Sequence, residues 1–398
     1  MQYPKVYLVM DNCFAIKRWV RPSEWMPVIK DLGASFVEAS TDNEIDPLFS
    51  PPAYRDNWLA EARAEQKRLG MTIANFYTGY QTYRTAGMAH PDEHVRQHIE
   101  KEWFGRLVPL AAELGAGIGF SFHAIPHNAL QTAASFEAAE SQLADTYAEL
   151  AALAWERGSV QLSCEQMYSP HQTPWKIEQT KKFLSLVGSR GGAPFYTTID
   201  VGHMVGQRRF QRPSAEAILQ AIGAARRGEA VRGIWLGPDQ CWTILQSTAA
   251  RTEEEDLLGE INALMDTHAY LFAEPRDGDI YAWLEELGAW SPIIHLQQTD
   301  GVTSSHAPFT SANNHKGVVH GPKVLRALLR SWERGEQPGM PPRVPAFFLT
   351  FELFVANTAY LHDSLTQLRE SVDYWRRFVP EDGRNLKELV DALQEDAK

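Results

Sequence analysis

The sequence predicts an α/β fold: a (β/α)8 barrel with a long insertion between strands six and seven and an extra C-terminal helix. Three observations lead there. Short apolar, strand-like runs alternate with helical patterns from the first residues onward, and eight such units follow one another. No Gly-x-Gly-x-x-Gly follows the first run, which argues against a doubly wound dinucleotide-binding sheet. The last four runs each end in one residue able to ligate a metal.

Taken in order, Val6–Met10 is the first strand, and Pro22-Ser23 starts a helix over Glu24–Leu32. Ser35–Ala39 is the second strand and ends near Glu38. Tyr54–Leu69 is a helix with Trp58, Ala62 and Leu69 on its apolar side and Gly70 at its C-cap. Thr72–Phe76 is a strand, Asp92–Leu114 a long helix closed by Gly115, Ile118–Phe122 a strand, and Ala133–Trp155 a helix ending at Gly158. Val160–Glu165 is followed by a helix over Thr173–Val187, then by Phe195–Asp200. Ile293–Gln297 and Ala346–Glu352 are the last two strands. Helices at Pro322–Arg334, Ser364–Arg377 and Leu386–Glu395 complete the chain, expected to form a single domain over residues 1–398.

The stretch from His203 to His295 is far longer than one βα unit needs. Residues 205–290 or so, with helices over Ala215–Arg226 and Glu253–Met265, are expected as an insertion at the barrel rim: a lid, a substrate wall or an oligomer contact. A second long connection, Asp300 to Gly321, holds His306, Asn313, Asn314, His315, Lys316 and His320 and suits a loop over the barrel mouth.

With 38 Lys and Arg against 50 Asp and Glu, the net charge of −12 disfavours nucleic acid. The three cysteines form no CxxC pair, so neither a zinc knuckle nor a disulfide framework is indicated. No basic region precedes a long apolar run at the N-terminus, and no stretch approaches the roughly 20 apolar residues of a membrane span. A cytoplasmic protein with reduced thiols and no membrane partner is the expectation.

The chemistry lies in Leu162-Ser-Cys-Glu165, Thr198-Ile-Asp200-Val-Gly-His203, Ile293-Ile-His295-Leu and Leu349-Thr-Phe-Glu352-Leu. Taken singly, a strand-end carboxylate is more often a cap or an ion-pair partner, and a lone histidine more often part of the core. In series, on strands five to eight, they converge on the C-terminal end of a barrel, where catalytic residues gather. Three carboxylates and one imidazole suit one divalent cation: Mn2+ first, with Mg2+, Co2+ and Zn2+ also compatible. Zinc is less favoured because no thiolate is present. Without a cation, three crowded negative charges would be costly.

This order of Glu, Asp-x-x-His, His and Glu resembles the xylose isomerase-like barrel superfamily, in its sugar isomerase and epimerase branch, which includes the D-tagatose and D-psicose 3-epimerases. The resemblance implies that Glu165, Asp200, His295 and Glu352 ligate the metal, that Glu165 and Glu352 are also the catalytic acid–base pair, and that His203 contacts a substrate oxygen. It implies a homo-oligomer as well. In the ketose 3-epimerases an arginine follows the metal-binding histidine by six residues; here that position is Gly301. Trp19 after the first strand, His123 after the fourth, and Lys316 are further candidate substrate contacts, set against rim packing or solvated charge. Arg208, Arg209 and Arg212 could bind a phosphate but read more readily as a solvated run.

A cation holding a carbonyl and its neighbouring hydroxyl stabilises an enediolate, and a positioned carboxylate can remove and return the adjacent proton. The expected function is therefore a metal-dependent sugar isomerase or epimerase acting on a small ketose or aldose, or its phosphate. The alternative is a lyase that dehydrates a keto-polyol such as an inosose. An endonuclease IV-like enzyme is disfavoured by the acidic charge, and a non-catalytic scaffold by the intact ligand set.

Overall fold

Eight parallel strands close on themselves. In the computed structural model, which describes residues 2–78, 85–121, 124–247, 253–356 and 358–395, these are β1 (Lys5–Asp11), β2 (Phe36–Ser40), β3 (Thr72–Thr78), β4 (Gly117–Phe120), β5 (Leu162–Glu165), β6 (Phe195–Asp200), β7 (Ile293–Leu296) and β8 (Ala346–Phe351). Neighbours in sequence are neighbours in the sheet, and β1 pairs with both β8 and β2, which completes the barrel. A two-residue β9 (Arg384–Asn385) adds antiparallel to β1 at Lys5 and Val6. The strands read as nearly continuous apolar runs because both faces are covered: the barrel interior on one side and the helical ring on the other.

The helices are α1 (Pro22–Asp31), α2 (Pro52–Leu69), α3 (Glu93–Ile99), α4 (Gly105–Leu114), α5 (Ala133–Glu156), α6 (Ile177–Gly191), α7 (His203–Gln207), α8 (Ala215–Arg226), α9 (Asp239–Gln246), α10 (Glu254–Thr267), α11 (Ile280–Leu287), α12 (Ser311–Lys316), α13 (Gly321–Glu333), α14 (Leu361–Arg376) and α15 (Leu386–Glu395). Their one-sided patterns explain their docking. In α13, Val324, Leu325, Leu328 and Trp332 are buried while Lys323, Arg330 and Glu333 stay exposed. At the end of α2, Gly70 takes the left-handed conformation (φ 62°) that its position after the last helical residue requires.

Several expected boundaries move. The helix expected from Thr173 begins at Ile177, because its first N–H groups are satisfied from outside the helix pattern: Asp277 Oδ1 accepts from Ile177 N at 2.8 Å. Nothing near residue 173 in sequence announces that cap. The long helix expected over Asp92–Leu114 is instead α3 and α4 joined by a π-helical turn at Glu100–Phe104, with Pro109 removing one helical donor downstream. The fourth strand stops at Phe120, and Phe122, its expected end, lies outside the described residues.

Between β6 and β7, α8, α9 and α10 bury Ile218, Ile222, Cys241, Leu245, Leu257, Ile261 and Met265. This insertion leans on the connection after β4: Tyr270 donates its hydroxyl to the Leu130 carbonyl at 2.8 Å and stacks on Phe136 at 4.9 Å. Helix α11 then returns to the ring, packing against α6 and α13. Glu286 on α11 joins these three helices, meeting Lys181 of α6 at 2.5 Å and Arg334, just past α13, at 2.9 Å.

Burial raises the Glu286 carboxyl, but its bonds to Lys181 and Arg334 outweigh that and hold it down to about 2. A carboxyl lowered on folding stabilises the fold above its unfolded value and loses that contribution as pH falls through the folded one. We predict that Glu286→Gln lowers the urea midpoint at pH 7, and that the gap from wild type shrinks from about pH 4.5 downward and closes near pH 2. A gap independent of pH would assign the loss to packing instead.

Candidate metal centre

Register brings the site together before any side chain is considered. Asp200, last in β6, pairs with His295 of β7. Glu165 ends β5, and Glu352 directly follows β8. On the other side of the barrel Asp11 pairs with Glu38, and Glu38 with Asn75, so three polar residues lie side by side across β1, β2 and β3.

Glu165, Asp200, His295 and Glu352 each offer one ligand atom, all within 4.8 Å of one another, and all four residues are buried. His295 is at the centre. Its Nδ1 donates to Glu165 Oε1 at 2.9 Å and lies 3.3 Å from Glu352 Oε2. Its Nε2 donates to Glu38 Oε1 at 2.8 Å, and the other oxygen of Glu38 accepts from Asn75 Nδ2 at 2.6 Å. Tyr77 donates its hydroxyl to Glu165 Oε2 and sets its ring edge-on to His295 at 4.7 Å. Asp200 accepts from Gly202 N at 2.6 Å and from Gln297 Nε2 at 2.8 and 3.0 Å.

The charges in this buried space shift one another's proton affinities. Burial acts to lower His295, but Glu352, Glu38 and Glu165 outweigh it and hold the imidazole well above its usual range. Burial also raises the carboxyls. In Glu165 the opposing pull of His203 and His295 wins, and the group stays below the ordinary glutamate value. In Glu352 burial wins, aided by Glu165 and Asp200, and the group sits well above it. Asp11 is likewise raised, by burial and then by Glu38.

These residues fit a divalent cation. Glu352 Oε2 is buried without a hydrogen-bond partner, an orphaned acceptor aimed at the space the other three enclose. Hard oxygen donors with one imidazole match Mn2+, Mg2+, Co2+ or Zn2+. With Nε2–H committed to Glu38, His295 directs Nδ1 toward that space, and exchange of the Nδ1 proton for a cation would give the carboxylate–imidazole arrangement typical of metal-bound histidine.

Of the other candidates, His203 adjoins the cluster, its Nε2 3.8 Å from Asp200 Oδ2 and its Nδ1 donating to the Gln166 carbonyl at 2.8 Å. Trp19 is half-buried, edge-on to Phe14 at 6.1 Å, and Lys316 is exposed at the end of α12; neither joins the cluster. His123 lies outside the described residues. Arg208 donates to the carbonyls of Gly278 at 2.9 Å and Gly301 at 3.1 Å, tying the insertion to the β7–α13 connection, while Arg212 pairs with Asp266. Glu38, Tyr77, Gln297 and His306 were not singled out from sequence as site residues. A charged residue inside the apolar run Phe-Val-Glu-Ala-Ser was the available signal for Glu38; Tyr77 reads as an ordinary core aromatic.

No family model matches the chain. D-Erythrulose 1-phosphate 3-epimerase from Brucella abortus is 30% identical over 115 residues, 29% of this chain and 34% of that protein, so the chain spans about a third of the length of the curated relative it matches. A xylose isomerase-like protein from Rhodospirillum rubrum superposes with a TM-score of 0.64 at 20% identity, covering 94% of this chain and 99% of that one. The chain shares its (β/α)8 barrel fold. D-Psicose 3-epimerase from Clostridium cellulolyticum H10 shares it, with a TM-score of 0.53 at 11% identity over 93% of this chain and 98% of that one. Among the described residues of this barrel, no helix is long and apolar enough to cross a membrane.

Glu38 is placed to fix the ring of His295, and partners of this kind are worth ~10–100-fold in metal affinity. Glu38→Ala is expected to weaken Mn2+ binding by about that factor in a chelator competition, with unchanged far-UV circular dichroism. Wild-type affinity in the variant would show that packing alone orients the imidazole.

Proposed function

We propose that this protein is a divalent-metal-dependent sugar isomerase or epimerase that moves a proton on the carbon next to a carbonyl of a small ketose or aldose, or of its phosphate. The observation that carries the reading is the pair Glu165 and Glu352. Two carboxyls share one buried pocket, Glu165 Oε1 at 2.9 Å and Glu352 Oε2 at 3.3 Å from the same nitrogen of His295. Two carboxyls within reach of one reacting carbon can take a proton and return one.

Glu165 acts as the base that takes the proton from carbon, and the Tyr77 hydroxyl fixes where its Oε2 points. Glu352, in the same buried pocket, returns a proton. Return to the same carbon from the other face inverts its configuration; return to the neighbouring carbon interconverts aldose and ketose. A divalent cation held by Glu165, Asp200, His295 and Glu352 would supply charge stabilisation for the oxyanion that develops beside that carbon. His203, with its Nδ1 proton given to the Gln166 carbonyl, presents Nε2 to a substrate oxygen. At the mouth, His306 stacks flat on Phe354 at 4.0 Å and screens Glu352 from water.

The donor set favours Mn2+ as the ion. The short match to an epimerase of a four-carbon ketose phosphate supports a small keto-sugar, free or phosphorylated, as the substrate class. A cytoplasmic homo-oligomer is part of the same reading.

The test is solvent exchange. A panel of four- to six-carbon ketoses, aldoses and their phosphates in D2O should include one that takes deuterium next to its carbonyl. Glu165→Gln and Glu352→Gln should each slow that uptake by ~10²–10⁴-fold. Full exchange by either variant removes the two-carboxyl mechanism, and a product lighter by one water would assign the site to a lyase. Stripping the protein with a chelator should abolish exchange and Mn2+ should restore it; exchange that survives the chelator contradicts the metal requirement.

A further inference from the structure

Beside the proposed centre lies a second group of ligand-type side chains. Asp200, His203 and His306 each offer an atom within 4.8 Å of the others, and Asp200 belongs to both groups. The two histidines are prepared alike. His203 Nδ1 donates to the carbonyl of Gln166 at 2.8 Å and His306 Nδ1 to that of Glu352 at 3.2 Å. A carbonyl can only accept, so each ring carries a proton on Nδ1, and in the neutral imidazole Nε2 is the nitrogen left to bind. Two such imidazole nitrogens next to a buried carboxylate are the chemistry of a cation site. The backbone at His306 adopts φ 44°, a conformation a histidine holds only when its surroundings insist.

That position is filled from within the chain. The Gln297 side chain, fully buried, donates Nε2 to Asp200 Oδ1 at 2.8 Å and Oδ2 at 3.0 Å, and the same nitrogen lies 3.3 Å from both ring nitrogens of His306. The amide cannot be turned over. Its Oε1 accepts the backbone N–H of His306 at 2.6 Å, which commits the nitrogen to the Asp200 side. The Ser304 hydroxyl bridges both ends, at 3.0 Å from Nε2 and 3.3 Å from Oε1. Room for the amide is made by Gly202, where a Cβ would fall 2.4 Å from Gln297 Cδ.

We infer that Gln297 is a positioning residue that limits the centre to one cation: its amide nitrogen stands where a second ion would bind and holds Asp200 in place for the first. This rests on the reading that Glu165, Asp200, His295 and Glu352 hold a cation. An amide satisfies Asp200 with donors and adds no charge. A carboxylate at the same position would reverse that: it offers acceptors only, faces Asp200 with like charge, and completes a set of two carboxylates and two imidazoles suited to Zn2+ or Mn2+.

The experiment is metal counting on the full chain. Wild type, Gln297→Glu, Gln297→Ala and the double variant Gln297→Glu with His306→Ala are saturated with Mn2+ alone, dialysed against a fixed free concentration and assayed for ions per chain. Electron paramagnetic resonance of the same samples reports whether two ions are close enough to couple, and circular dichroism reports folding. Wild type is expected to hold one ion, Gln297→Glu two with a coupled spectrum, and the double variant one again. Gln297→Ala, which empties the position without adding a ligand, is expected to take a second ion only at higher Mn2+, and it carries the test if Gln297→Glu does not fold. A wild type that binds two ions overturns the inference, as do folded Gln297 variants that stay at one. A wild type that binds none overturns the metal reading beneath it.

Discussion

The structure depends on buried negative charge gathered around one imidazole. Glu38, Glu165 and Glu352 all lie within 3.3 Å of a ring nitrogen of His295, and Asp200 closes the same space from β6. One protonated ring cannot balance four carboxyls, and burying unbalanced charge costs several kcal/mol per ion even after relaxation. The protein meets part of that cost with neutral donors: Asn75 on Glu38, Tyr77 on Glu165, Gln297 and the Gly202 N–H on Asp200. Burial meanwhile pushes the carboxyls of Glu352 and Asp11 well above their ordinary values. What remains is an orphaned oxygen of Glu352 and a space shaped for a divalent cation.

The barrel is the device that makes this concentration of charge tolerable. Parallel strands place Asp200 against His295 and Glu38 between Asp11 and Asn75 by register alone, on a rigid sheet whose other residues are mostly apolar. Two consecutive glutamines after β7 then secure the connection that crosses the mouth. Gln297 grips Asp200 and the His306 N–H. Gln298 accepts from Val319 N at 3.0 Å and donates to Asn314 Oδ1 at 2.9 Å and to the Val319 carbonyl at 3.0 Å. Each needs a glycine opposite it, Gly202 for the first and Gly317 for the second, where a Cβ would fall 2.1 Å from Gln298 Cδ. The connection that carries His306 is thus fastened to the same aspartate that anchors the centre.

The four proposed ligands were legible in the sequence because each ends an apolar strand run, and a charged group at such a point has few reasons to be there. The barrel itself was legible from the alternation of periods, including the long gap before β7. Other features were not, for one recurring physical reason: they are settled by partners far away in sequence. Asp277 caps α6 from a hundred residues downstream. Glu38 gains its role only when β7 brings His295 across the barrel, 257 positions away. Gln297 looks like the end of a strand and His306 like a polar loop residue until the connection folds back over the mouth, and Tyr77 like core until its hydroxyl meets Glu165. Trp19 and Lys316, picked for type and neighbourhood, are placed at the rim packing and on the surface.

The central claim, that the charge at the C-terminal end of the barrel is organised around a cation, is tested most directly by anomalous diffraction from crystals soaked in Mn2+. The account predicts one strong peak enclosed by Glu165, Asp200, His295 and Glu352, with His295 Nδ1 facing it and Nε2 still on Glu38. Well-diffracting soaked crystals with no peak there, or with ordered Mn2+ only at surface carboxylates, would contradict it.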